Sequence, residues 1–242
     1  MSAVTGEVIL LHGFTQTGRS WAPVLAELGE RYRGFAPDLP GHGDMAWRRP
    51  CTPDAVAAYL RAVPAGRFVL GGYSMGGRLA LRAAMENPSR VERLVLVSCG
   101  AGIADPAERE TRRQADVALA DRIEGMPLEA FVDEWAAQPL FAGLPRGVAE
   151  AARVDRLRNV PAGLAAALRG MGQGATAPMW DRLAELAMPV TILAGERDEK
   201  YRALATAMAG RIPGARAVVV PGAGHALHLE CPDVIAAALA GS

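Results

Sequence analysis

One lysine, Lys200, stands among 26 basic residues, and the other 25 are arginine. A bias this complete reflects genome composition, so an arginine in this chain has to be argued from its position. Acidic residues also number 26, which leaves the formal net charge at zero. That balance gives no footprint for a nucleic acid and no charge-driven attraction to a membrane surface. Cysteine is scarce: Cys51, Cys99 and Cys231 only. The number is odd and no spacing suits a metal site. Reduced thiols in the cytoplasm are the simplest account, with Cys99, at the end of a strand-like run, as a small buried apolar residue. Long hydrophobic runs are missing too. The N-terminal run Val8-Ile9-Leu10-Leu11 has no basic segment before it and is too short for a signal peptide or a membrane helix. No internal repeat, low-complexity segment or linker is present.

What the chain does have is apolar residues, 50% of its 242 positions, enough for one sizeable α/β domain with a large core. Short strand-like runs alternate with helical stretches. Glu7 to Leu11, Arg33 to Pro37, Phe68 to Leu70 and Val91 to Ser98 read as strands. A helix capped by Ser20 runs to about Arg31, and Thr52-Pro53-Asp54 opens another. The alternation predicts a mostly parallel sheet covered on both faces. After Gly102 the strand rhythm stops. Asp105 to about Trp180 reads as several helices broken at Pro106, Pro127, Pro139, Pro145 and Pro161. Strands resume at Pro189 to Ala194 and Ala217 to Val220, with helices from about Arg202 and Pro232. The expected organisation is a core over residues 1–102 and 181–242, interrupted by a helical cap over 103–180 that sits above the sheet's C-terminal edge.

The chain is organised around Arg67 to Asn87. There a buried strand meets a helix at Gly72-Tyr73-Ser74-Met75-Gly76, a match to G-x-S-x-G. In a nucleophile elbow the serine is held in a strained turn, and flanking glycines avoid crowding the neighbouring strand and helix. The bland alternative is that Ser74 only caps the helix. A serine hydroxyl needs an imidazole, and the imidazole needs an orienting carboxylate. Gly195-Glu196-Arg197-Asp198 and Gly222-Ala223-Gly224-His225 each follow a strand end, in the chain order Ser, Asp, His. Ser74, Asp198 and His225 are therefore the expected triad, with Glu196 as rival acid. His12 and His42 lie in loops where bonding to backbone is the ordinary role, and His228 packs or faces solvent. The backbone N–H groups of Phe14 and Met75 are the expected oxyanion donors.

These motifs resemble the α/β-hydrolase superfamily throughout the core. A closer likeness extends into the cap. Leu11-His12-Gly13-Phe14, Gly72 to Arg78, Trp135 with Gln138-Pro139-Leu140-Phe141, Gly163-Leu164-Ala165 leading to Leu168-Arg169-Gly170-Met171-Gly172, and Gly195 to Lys200 look like the 2-succinyl-6-hydroxy-2,4-cyclohexadiene-1-carboxylate synthases of menaquinone biosynthesis. The resemblance implies a lyase that uses no cofactor or metal. Its substrate is a small molecule bearing several carboxylates, and neither nucleic acid, membrane nor obligate protein partner is implied. The triad would remove a substrate proton, and pyruvate would leave by elimination.

Such a substrate calls for arginine forks. Arg78, beside the elbow, is an odd choice for a position that only packs. In the cap the resemblance points to Arg112 and Arg156, with Arg113 and Arg158 one and two positions away, and a solvated helix face is the plain alternative. Tyr73 and Trp135 match pocket positions, where ordinary aromatic packing is the alternative. One departure is Tyr201, where the family often has phenylalanine. A carboxylic-ester or carbon–carbon-bond hydrolase working through an acyl-enzyme shares the same core motifs. A non-enzymatic receptor would have a broken triad.

Overall fold

A computed structural model describes residues 6–63 and 66–241. In chain order the elements are β1 (Gly6–Leu11), α1 (Ala22–Leu28), β2 (Tyr32–Phe35), α2 (Pro53–Ala62), β3 (Phe68–Tyr73), α3 (Met75–Glu86), β4 (Val91–Val97), α4 (Pro106–Glu124), α5 (Leu128–Ala136), α6 (Arg146–Arg156), α7 (Pro161–Met171), β5 (Val190–Gly195), α8 (Glu199–Ala209), β6 (Arg216–Val220), α9 (Leu227–Glu230) and α10 (Pro232–Ala240). The strands form one sheet in the order β2-β1-β3-β4-β5-β6, and every pairing is parallel.

Parallel strands need helical crossovers, and these cover both faces. On one face Val24 and Leu28 of α1 join Ile235 and Leu239 of α10 over Val8, Leu10, Val95 and Leu193. On the other, Val56 and Leu60 of α2, Leu79 and Ala83 of α3, and Ala205 and Met208 of α8 cover Ile9, Leu70, Leu96 and Ile192. Strand β3 is buried along its whole length, as expected for a continuous apolar run in the middle of such a sheet. The chain leaves β1 toward β2 and then crosses back to β3. This reversal opens a crevice outside the C-terminal ends of β1 and β3, where open α/β sheets bind ligands.

Helices α4, α5 and α7 share an apolar core of their own, built from Ala120, Ile123, Phe131, Leu164, Ala165 and Leu168. The prolines expected to break this region begin its helices instead. Pro106 and Pro161 sit in the first turns of α4 and α7, and Pro127 and Pro145 are the N-caps of α5 and α6. A missing N–H costs nothing at a helix start. Asp105 adds a side-chain cap, accepting from Glu108 N–H at 2.7 Å.

Other expectations shift. Thr17, not Ser20, caps the first helical stretch, because a 3₁₀ turn over Gly18–Trp21 precedes α1. The helix expected to reach Arg31 ends at Leu28 and a second 3₁₀ turn follows. Strand β2 begins at Tyr32 and stops before Pro37, and α8 begins at Glu199, ahead of Arg202. A 3₁₀ stretch, Trp180–Glu185, carries the helical region past Trp180. Thr52 caps α2 as expected, accepting from Ala55 N–H. Among the described residues no helix is long and apolar enough to cross a membrane.

Candidate active site

Ser74 follows β3 directly and occupies the N-cap of α3, yet its side chain makes no capping hydrogen bond. Its backbone is held at φ 52°, ψ −109°, a conformation that residues bearing a Cβ adopt only where their surroundings impose it. The constraint is the close passage of α3 over β1. A Cβ on Gly76 would lie 2.1 Å from the Leu11 carbonyl oxygen, so only glycine lets the helix start there. The side chain freed by this turn meets His225, whose Nε2 lies 3.3 Å from Ser74 Oγ. His225 Nδ1 lies 2.6 Å from Asp198 Oδ2. With the Nδ1 proton donated to the carboxylate, Nε2 is left to accept the serine hydroxyl, the arrangement that activates a hydroxyl group. Both His225 and Asp198 are buried. Glu196, the rival acid, points elsewhere and accepts from Gly222 N–H at 2.8 Å, bracing the loop that carries His225.

The other three histidines do different work. His12 donates from Nδ1 to Gly13 O and accepts the Leu39 N–H at Nε2. His42 bonds to Pro40 O. His228 faces no solvent. It lies 4.1 Å from the Tyr73 ring and 4.9 Å from Trp21, centroid to centroid, and neither of its nitrogens has a hydrogen-bond partner among the described residues. Burial pulls all three below the ordinary histidine range, furthest for His42 and His228. They are neutral rings.

Tyr73 lies under the site, its ring 5.3 Å from that of His225. The ring fits because Gly13 has no Cβ; one there would come within 2.6 Å of it. Burial pushes the Tyr73 hydroxyl well above its usual range, so it stays protonated. The N–H groups of Phe14 and Met75 make no hydrogen bond to the described residues. The Phe14 ring packs edge-on against Trp135, 5.2 Å away. Trp135 carries a buried Nε1–H without a partner.

The arginines sort by surroundings. Arg78 is 6% exposed and Arg156 is 2% exposed. Arg78 Nη2 donates to Met171 O at 3.0 Å, and its Nε has no partner. Arg156 Nε donates to Thr15 Oγ1 at 3.3 Å, and its guanidinium lies 4.9 Å over the Phe141 ring. Neither is ion-paired with a carboxylate of the described residues. Burial lowers the pKa of both, the mark of a cation lacking full compensation. Arg112 is half-buried and engaged: Nε donates to Asp116 at 2.7 Å and Nη1 to Gln173 Oε1 at 3.1 Å. Gln173 in turn donates to Tyr201 Oη at 3.0 Å, and the Tyr201 ring lies 4.7 Å from that of His225. The neighbours Arg113 and Arg158 are exposed, and Arg113 pairs with Glu110.

The arrangement is a strained serine bonded to a buried imidazole, with Arg78 one turn along α3 and Arg156 over the Phe141 ring that lies 6.2 Å from His225. A model of the alpha/beta hydrolase family matches residues 8–238. The chain belongs to that family. A protein of Salmonella newport (strain SL254) named 2-succinyl-6-hydroxy-2,4-cyclohexadiene-1-carboxylate synthase is 35% identical over 98% of this chain and 93% of its own. A Bacillus subtilis (strain 168) protein, to which the same synthase name is provisionally attached, is 39% identical over 93% of this chain and 85% of its own. Among solved structures, MenH from S. aureus superposes with a TM-score of 0.93 at 32% identity, covering 99% of this chain and 94% of that one.

The sequence reading did not reach Gln173, nor the group Thr15, Thr17, Asp155 and Asn159 that joins α6 to the loop after β1. Gln173 stands between two glycines, which marks a turn and nothing more.

Proposed function

We propose that the protein is a lyase that eliminates pyruvate from 2-succinyl-5-enolpyruvyl-6-hydroxy-3-cyclohexene-1-carboxylate, giving 2-succinyl-6-hydroxy-2,4-cyclohexadiene-1-carboxylate. The observation that carries the reading is a pair of buried arginines without carboxylate partners among the described residues: Arg78, on the first turn after Ser74, and Arg156, over the Phe141 ring that lies 6.2 Å from His225 of the assembled serine–histidine–aspartate array. The names of the relatives agree with it.

In the proposed reaction Ser74 takes a ring proton and passes its own to His225, whose imidazolium Asp198 stabilises. The electron pair of the broken C–H bond forms the new ring double bond. The existing ring double bond shifts toward the carbon that bears the enolpyruvyl oxygen, the carbon–oxygen bond there breaks, and the enolate that leaves takes up a proton as pyruvate. Negative charge that develops on the succinyl carbonyl is met by the N–H groups of Phe14 and Met75. Arg78 and Arg156 bind substrate carboxylates as planar forks. Arg112, held by Asp116 and Gln173, presents its remaining edge at the same wall. Tyr73 and Trp135 offer a hydroxyl and an indole N–H.

The test is pyruvate release from the enolpyruvyl precursor, generated in place by the thiamine-diphosphate enzyme that makes it, beside a no-enzyme control. Wild type should accelerate release, and Ser74→Ala and His225→Ala should each lower turnover by ~10³ or more, because triad members act as a unit. Saturable hydrolysis of simple esters without pyruvate release would replace this reading with that of an acyl-enzyme hydrolase.

A further inference from the structure

The loop after β1 is bent into a turn over Gly13–Gln16, closed by Gln16 N–H on Gly13 O at 3.2 Å. Its third residue, Thr15, has φ 70°. Turns with positive φ at that position ordinarily carry glycine or asparagine there, and a β-branched residue is a strained choice. Something outside the turn has to hold it.

The end of α6 does so. Asn159 Nδ2 donates to Thr15 O at 2.7 Å and also to Arg156 O, while its Oδ1 accepts from Gly43 N–H at 3.0 Å. Arg156 Nε donates to Thr15 Oγ1. Asp155 accepts from both Thr17 N–H, at 3.0 Å, and Thr17 Oγ1. Thr15, Thr17, Asp155, Arg156 and Asn159 are all buried, so these bonds have no water to compete with them. Thr15 must keep its side chain despite the strain, because its hydroxyl fixes the Arg156 guanidinium while its carbonyl is gripped by Asn159.

We propose that Asp155 and Asn159 are positioning residues that latch the helical insertion to the oxyanion turn, so that the Phe14 N–H is aimed only while α6 is docked. The latch makes one substrate-side cation and one oxyanion donor parts of a single rigid body. It rests on reading Phe14 N–H as an oxyanion donor.

The experiment uses two readouts on the full chain. One is kcat and KM for pyruvate release. The other is the rate at which a small uncharged fluorophosphonate phosphonylates Ser74, which needs the oxyanion hole but no arginine. Asp155→Ala and Asn159→Ala should each slow labelling by roughly 10- to 100-fold, the scale of a misplaced oxyanion donor, and lower kcat in parallel. Asp155→Asn, which keeps an acceptor for Thr17 N–H, should lose clearly less. Arg153→Ala, on the outer side of the same helix, should label like wild type. Melting curves establish folding, and if an alanine variant fails to fold, Asp155→Asn and Thr17→Val carry the comparison. Folded latch variants that label at the wild-type rate overturn the proposal. So does a wild-type Ser74 that resists the probe. Slowed labelling in the variants, with no pyruvate release from wild type, would keep the latch and reject the lyase.

Discussion

The two sides of the helical insertion treat arginine in opposite ways. On the outer side Arg113 pairs with Glu110, Arg122 with Glu134, Arg153 with Asp133, and Arg169 with both Asp121 and Glu124, all exposed or half-exposed to water. On the inner side Arg156, like Arg78 of α3, is buried with no carboxylate partner among the described residues. Exposed pairs of this kind contribute little, because water screens them and long side chains resist being fixed. A buried cation without a partner is the reverse: removing it from water costs several kcal/mol. In an arginine-rich chain frequency carries no information. Burial without a counter-ion does, since a fold keeps such a charge only where something else brings the anion.

The inner pair offers the largest effect by which to break this contrast. Arg78→Ala and Arg156→Ala should each lower kcat/KM for pyruvate release by roughly 10²-fold or more, the scale for losing one member of a buried charge pair. Arg78→Lys should restore only part, since a point charge does not replace a planar fork. Arg156→Met should lose activity yet melt no lower than wild type, because it relieves an uncompensated charge. A lower Tm together with intact activity would make Arg156 structural.

Buried histidines sharpen the contrast from the side of pH. Burial depresses the pKa values of His12, His42 and His228 in the folded protein below the ordinary histidine range. The unfolded chain therefore binds their protons first. Stability is whole above the unfolded value and falls as pH drops from there toward the depressed folded values, by about 1.4 kcal/mol per pH unit for each proton taken up. Denaturant midpoints between pH 7 and pH 5 measure the slope. His228→Phe should flatten it by one proton, and an unchanged slope would show that His228 is charged in the folded protein. The smallest effect belongs to the outer side: Arg122→Ala and Arg169→Ala should leave Tm and kcat/KM close to wild type. A large loss from either would erase the distinction.

Much of this was readable along the chain. The parallel sheet follows from apolar runs separated by helical stretches, and the G-x-S-x-G turn and the two loops after β5 and β6 bring Ser74, Asp198 and His225 together. Arg78 is conspicuous because a charge on a buried first turn has no packing purpose. Cap positions are harder. A shift of two positions, from Arg156 to Arg158, takes the side chain from buried to exposed, while Arg112 and Arg113 inside α4 differ chiefly in the partners they meet. The Asp155–Thr17 and Asn159–Thr15 bonds join positions 138 and 144 residues apart, with nothing local to announce them. Thr17 displaced Ser20 as a cap because a 3₁₀ turn of few residues leaves no periodic trace.

The C-terminal helix has a consequence for synthesis on the ribosome. Ile235 and Leu239 of α10 complete the apolar layer over β1, β3 and β4 together with α1, and the histidine that serves Ser74 lies 151 positions after it. A nascent chain that has emerged only through β4 therefore has α1 but not α10 for that sheet face, and lacks the imidazole that meets Ser74. The apolar layer under α10 and the neighbour of Ser74 are thus completed at the same late stage of synthesis.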